Sequence, residues 1–129
     1  MNIPGNFKFT ESNEWIKVDG NVAAIGISDY AQSQLSDIVF AEIVVAVGDT
    51  LAAGDSIATI ESVKAAADVY TQVSGEVVAV NEDLAAAPEV INSDPYGAAW
   101  MVKIKLSSPA EVEKLMDAAA YEKFVQEQE

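Results

Sequence analysis

The stretch Glu61-Ser62-Val63-Lys64-Ala65-Ala66-Ala67-Asp68-Val69-Tyr70 decides how the rest of the chain is read. Ser56 to Ser62 before it and Ala67 to Thr71 within and beyond it are rich in strand-forming residues. Paired antiparallel, they place Lys64 at the tip of a hairpin, where a side chain projects away from the sheet. Val63 and Ala65 to Ala67 are small and uncharged, so nothing bulky blocks approach to the amine. On geometry alone the position reads as a solvated turn lysine. A Schiff-base lysine would need burial or a neighbouring cation to lower its pKa, and an exposed tip among acids offers neither.

Outward from this segment, the 129-residue chain holds no other basic residue between Lys17 and Lys103, and no Cys, His or Arg at all. A lone amine on such a chain reads as a handle for attachment, which makes the protein a carrier rather than an enzyme. There is no thiol nucleophile, disulfide or zinc-thiolate site, and the commonest general base and metal ligand are missing. The densest acidic loop candidate, Asn92-Ser93-Asp94-Pro95, is too sparse for calcium, so no metal is expected. No glycine-rich phosphate loop appears. A formal net charge of -14 repels nucleic acid and anionic lipid and favours partners with basic docking faces, although it also serves solubility alone. Half the residues are hydrophobic, enough for one domain spanning 1–129 with its own core. No apolar run is long enough to span a bilayer, and the N-terminus resembles neither a signal peptide nor a presequence. The default expectation is a cytoplasmic location, with a mature organellar form left open.

The local pattern predicts short strands separated by turns. Glu14 to Val18, Val22 to Ile27 and Ile38 to Val45 read as strands, the first two joined by the hairpin signal Asp19-Gly20-Asn21. Asp29 and Gln32 have capping-box spacing and predict a short helix near 29–35. Thr50 to Ser62 and Asp68 to Val80 each give strand, turn, strand, an arrangement of twofold character about Lys64. Gly75 reads as a turn that only glycine can make. Asn81 to Gly97 reads as a long ordered loop. Trp100 to Leu106 alternates as a strand, and Trp15 and Trp100 are expected in the core. Ser108 predicts an N-cap with Pro109 at N1, followed by a helix whose apolar stripe runs Val112, Leu115, Met116, Ala119. Asp117 is positioned to cap a second helix presenting Tyr121, Phe124 and Val125.

The segment ESVKAAADVY, followed by VSGEVVAVNEDL, resembles the lipoylation region of the glycine cleavage system H protein family. FTESNEWI, GISDYAQSQLSDIVF, INSDPYGAAWMVKIK and AAAYEKFV resemble that family's other blocks, in order along nearly the whole chain. The resemblance implies a mainly β barrel-sandwich hybrid of the lipoyl- and biotinyl-carrier type, with a short helix near 29–35 and C-terminal helices. It implies lipoic acid amide-linked to Lys64, and a carrier moving the aminomethyl group of glycine between enzymes. The implied partners are the P protein (pyridoxal-phosphate glycine decarboxylase), the T protein (aminomethyltransferase), the L protein (dihydrolipoamide dehydrogenase) and a lipoate-attaching enzyme. Ser12, Glu14 and Asp68 match positions lining the family's aminomethyl-lipoyl cleft, where acids attract a protonated amine. Glu61, Ser62, Val63 and Ala65 flank the lysine as its recognition motif. A monomer is expected, with no nucleic acid or membrane partner.

Other readings stay open at this point. An H-like donor could relay lipoate to 2-oxoacid dehydrogenase complexes. A biotin carrier typically has Met on both sides of the lysine, which Val63 and Ala65 are not. An enzyme using Glu14 and Asp68 as an acid-base pair would turn over unmodified. The chain also departs from the family pattern: Asn13 stands where His is usual, Ile43 to Gly48 carries an extra residue and lacks a proline, and Ala98-Ala99 replaces an acidic residue and Gly.

Overall fold

In the computed structural model, which describes residues 2–128, the chain forms nine strands and several short helices. A six-stranded antiparallel sheet contains β1 (Lys8–Phe9), β2 (Glu14–Asp19), β3 (Val22–Ile27), β5 (Thr50–Leu51), β8 (Gly75–Val80) and β9 (Val102–Leu106) in the order β1-β2-β3-β9-β8-β5. A three-stranded sheet contains β4 (Ile38–Ile43), β6 (Ser56–Ser62) and β7 (Ala66–Tyr70) in the order β4-β6-β7. Between the sheets lies an aliphatic core that includes Ile16, Ile25, Ile57, Ile60, Val77 and Ile104. This is the mainly β, two-sheet architecture expected from the sequence. Among the described residues no helix is long and apolar enough to cross a membrane.

The local signals act as their chemistry dictates in most places. Asp19 pairs with Val22 across a two-residue turn, with Gly20 at φ 64, as the Gly-first hairpin turn requires. The twofold character about Lys64 is visible as nested pairing: β6 pairs with β7, and outside them β5 pairs with β8. Helix α1 (Asp29–Leu35) forms where expected, but its cap is Ser28, whose Oγ accepts from the Ala31 amide. Asp29 instead accepts from the Gln32 side chain and from the Asn2 amide.

Several elements differ from the sequence expectation, each through a long-range contact. The 81–97 connection contains a 3-10 turn (Glu82–Ala85) and a helical turn, α2 (Val90–Ser93), that bury Leu84 and Ile91. Asn92 braces it, accepting from the Ile38 amide and donating to the Ser36 carbonyl. Strand β9 begins at Val102, and Trp100 lies before it, half-buried, with the Lys103 ammonium 4.8 Å from its ring centre. Trp15 is buried, as expected. The helix predicted through Ala119 stops after one turn as α3 (Ala110–Glu113), because Met116 is drawn into backbone pairing with Phe9. No side chain caps α3; the Glu111 carboxylate reaches back to the Ser74 amide and hydroxyl. Asp117 does cap the next helix, α4 (Ala118–Gln128), accepting from the Ala120 amide. Strand β4 ends at Ile43, short of the expected Val45, and in the turn that follows Asp49 Oδ2 accepts from the Ala46 amide.

A second, aromatic cluster packs on the outer face of β2: Phe7, Phe9, Trp15 and Tyr30 against Tyr121 and Val125 of α4. Tyr121 stacks on Phe9 with ring centres 4.4 Å apart. The first half of β2 is therefore covered on both faces, and Glu14, Trp15 and Ile16 are all buried in succession.

Gly75 begins β8 rather than making a turn, and its requirement is close approach. A Cβ there would stand 2.1 Å from the Lys105 carbonyl oxygen and 2.6 Å from Ile104 Cγ2. Gly75→Ala must push β8 from β9, and a cost of about 3 kcal/mol is expected from forced overpacking. Denaturant unfolding of the variant measures it, and an unchanged midpoint would refute the account.

Candidate functional site

The β6–β7 hairpin presents Lys64 through hydrogen bonds made almost entirely by Ser62. Ser62 N donates to the Ala65 carbonyl at 2.8 Å, and Ser62 Oγ accepts from the amides of Lys64 (3.1 Å) and Ala65 (3.0 Å). The Val63 amide donates to the Asp37 carbonyl at 3.0 Å, which ties the tip to the segment between α1 and β4. Every backbone N–H from Ser62 to Ala65 is thus engaged, so the turn is fixed although it lies in solvent. Glu61, Val63, Lys64 and Ala65 are exposed, and the lysine side chain stands clear of the sheet. The sequence marked Ser62 only as a flank; its hydroxyl shapes the turn.

Farther along the hairpin is a cleft of about 200 Å³ that brings Ser12, Glu14 and Asp68 together. Its walls include Ile27, Leu35, Ile60 and Ala67. Asp68 is exposed at the mouth, and its Oδ1 accepts from Thr59 Oγ1 across the β6–β7 ladder at 3.1 Å. Glu14 is only 1% exposed. Its Oε1 accepts from Thr10 Oγ1 at 2.5 Å and from Ser12 Oγ at 2.6 Å, and its Oε2 accepts from the Tyr70 amide at 3.3 Å. Glu14 thereby links β2 of the large sheet to β7 of the small one. A buried carboxylate surrounded by donors is electrostatically suited to a cation, because among the described residues no cationic partner consumes its charge.

The residues from Thr10 to Glu14 form a closed turn. The Thr10 amide donates to the Glu14 carbonyl, the Glu14 amide to Thr10 Oγ1, and the Asn13 amide to the Thr10 carbonyl, each at 3.0 Å. Asn13 takes φ 72, a left-handed conformation that asparagine tolerates better than most residues. The part played by Thr10 was not legible from sequence, since it depends on this turn closing. Asn13, noted only as a departure from the family, lies in the cleft wall. Its Oδ1 accepts from Tyr121 Oη at 2.9 Å.

Comparison with known proteins gives a consistent result. The Glycine cleavage H-protein family model matches residues 7–128. A glycine cleavage system H protein from Carboxydothermus hydrogenoformans is 49% identical over 126 residues, covering 98% of this chain and 96% of that protein. One from Halothermothrix orenii is 47% identical over the full length of both chains. The crystal structure of a glycine cleavage system H protein from Mycobacterium marinum superposes with a TM-score of 0.83 at 31% identity, covering 98% of each chain.

Two phenols near the site set a testable pH limit. Burial pushes the Tyr121 hydroxyl up to about 12, against a smaller opposing effect of its hydrogen bond with Ser28. Burial likewise pushes Tyr96 up to about 12, with the Asp29 amide donating to it and opposing the shift. The folded state holds these protons more tightly than the unfolded chain. Their contribution is complete below the ordinary value of 10.0 and is lost as pH rises towards about 12. Thermal midpoints are expected to fall across that window, and Tyr121→Phe should flatten the fall. Parallel curves for the two proteins would contradict this.

Proposed function

The chain belongs to the glycine cleavage H-protein family, whose members carry lipoate in glycine cleavage, and from that premise we propose that Lys64 is the attachment point. The observation that carries the proposal is an exposed lysine on a hydrogen-bonded hairpin tip beside an acid-floored cleft. The matched family and relatives favour the glycine-cleavage role over that of a donor relaying lipoate to 2-oxoacid dehydrogenase complexes.

The residues fit the group. The Lys64 amine is open to an acylating enzyme, and the small flanks Val63 and Ala65 leave room for it. Glu61, Ser62, Val63 and Ala65 form the surface that enzyme meets. Lys64 and Asp68 are four positions apart, on the order of 13 Å along a strand. Bound at Lys64, lipoic acid would supply a dithiolane able to take up a one-carbon unit derived from glycine together with an electron pair.

This chain's own residues then shelter a cationic cargo. Ile27, Leu35, Ile60 and Ala67 exclude water from the cleft walls. Glu14 supplies a fixed negative charge at its floor, held by Thr10, Ser12 and the Tyr70 amide. Asp68 supplies a second, exposed charge at its mouth, and the two carboxylates together hold an ammonium group by charge-assisted hydrogen bonds. The P protein, a pyridoxal-phosphate glycine decarboxylase, loads the carrier. The T protein, an aminomethyltransferase, unloads it, and the L protein, a dihydrolipoamide dehydrogenase, reoxidises it. The net charge of -14 favours basic docking faces on these partners. In this reading the 1–129 chain acts as one monomeric carrier domain with no turnover of its own when unmodified.

Expression with lipoate should give an intact-mass increase of one lipoyl group, mapped to the peptide containing Lys64. Lys64→Arg should abolish it without shifting the thermal midpoint, because the turn's hydrogen bonds use only backbone atoms of this residue. An adduct elsewhere, or a bare Lys64 in a host competent for the modification, would end the proposal. For the cleft, Glu14→Gln and Asp68→Asn carriers loaded with labelled glycine should lose the label several-fold faster than the parent. Equal rates would remove these residues from cargo retention.

A further inference from the structure

The C-terminal helix α4 contributes none of the residues that line the cleft, yet one of its side chains ends against the turn that builds the cleft floor. Tyr121 is fully buried. Its hydroxyl has Ser28 Oγ at 2.6 Å and donates to Asn13 Oδ1 at 2.9 Å. Ser28 Oγ accepts from the Ala31 amide. A phenol has one proton, and a carboxamide oxygen only accepts, so the direction is fixed by chemistry. The Ala31 amide donates to Ser28, Ser28 donates to Tyr121, and Tyr121 donates to Asn13. Asn13 is held from its other side as well, since its carbonyl accepts from the Ser28 amide at 2.9 Å.

We infer that Tyr121 is a positioning residue for the Glu14 carboxylate, acting through the left-handed residue Asn13. The inference rests on the cargo-holding reading of Glu14 and adds to it a residue more than a hundred positions away in sequence. Glu14 Oε1 needs Thr10 and Ser12 at once, and those hydroxyls come from two positions of the same turn. That turn exists only while Asn13 stays at φ 72, a conformation with an intrinsic cost for any residue but glycine. The contact with Tyr121 offsets that cost and leaves the turn one conformation. Released from it, the 10–14 segment relaxes, one hydroxyl leaves the carboxylate, and Glu14 no longer points at a fixed place in the cleft.

The aromatic ring has a separate duty, stacking on Phe9, which Tyr121→Phe preserves. Asn13→Gly keeps the left-handed backbone and deletes the acceptor. The lipoylated Tyr121→Phe, Asn13→Gly and Glu14→Gln proteins are loaded from labelled glycine by the decarboxylase, and loss of label is timed without an acceptor. Tyr121→Phe should shorten retention about threefold to tenfold and Asn13→Gly by less, since glycine takes φ 72 without that cost, with Lys64 modification still complete in both. The Tyr121→Phe/Glu14→Gln double variant should be no faster than Glu14→Gln alone, since both act on one carboxylate. In the unmodified protein, amide hydrogen exchange at Asn13 and Glu14 should rise at least tenfold in Tyr121→Phe, while Ile25 and Ile104 stay as protected as in the parent. A double variant whose effects multiply, or unchanged exchange at Asn13 and Glu14, overturns the inference and leaves the role of Glu14 standing. Unchanged retention in Glu14→Gln removes the cargo-holding reading itself, and the inference falls with it.

Discussion

A carboxylate placed where two sheets meet is the constraint around which this structure is organised. Taking Glu14 out of water is expensive unless donors replace the lost hydration. Thr10, Ser12 and the Tyr70 amide do so, and each makes a demand on the chain in return. The hydroxyls require the 10–14 segment to close on itself. The amide requires β7 to lie against β2, which sets how the small sheet seats on the large one. A neutral residue at position 14 would leave those donors with less reason to converge, and the hollow beside them would lose its polarity.

In the proposed role, the lysine and the cleft divide one task between opposite kinds of order. At the tip, the backbone is held by Ser62 and by the Asp37 carbonyl, while the lysine residue is exposed to solvent. At the cleft, the side chains themselves are fixed. A carrier needs both: a tether that can swing into unrelated active sites, and a resting place whose geometry does not drift between visits. Lys64 and Asp68, which stands at the mouth of the cleft, share one hairpin, so the distance between them is nearly constant.

Much of this was legible in the sequence because it is local chemistry. Gly20 after Asp19 specifies a hairpin turn, alternating Val102, Ile104 and Leu106 specify a strand, and Asp117 specifies a helix start. Lys64 was legible as a tip because strand-forming runs flank it. The burial of Glu14 was not. Alternation puts Glu14 on the same face as Ile16, the face the small sheet covers, and the donors that satisfy it there, Thr10, Ser12 and the Tyr70 amide, are set by tertiary contacts rather than by strand periodicity. Thr10 was hidden for a related reason, since its role follows from the left-handed Asn13 rather than from spacing. The break between α3 and α4 was also hidden. Met116 continues the apolar stripe of a helix, but pairing with Phe9 claims its backbone first. Gly75 was correctly marked as obligatory but for a different cause: crowding by the Lys105 carbonyl rather than a turn.

The nested pairing of β6 with β7 inside β5 with β8 has a kinetic corollary. The inner ladder closes a loop of only a few residues around Lys64, at little entropic cost. Once it has zipped, Leu51 and Gly75 no longer have to find each other across a flexible chain, because the hairpin has already carried their neighbours together. Assembly is therefore expected to run outward from position 64, so the turn that carries Lys64 is among the first native elements a nascent chain acquires.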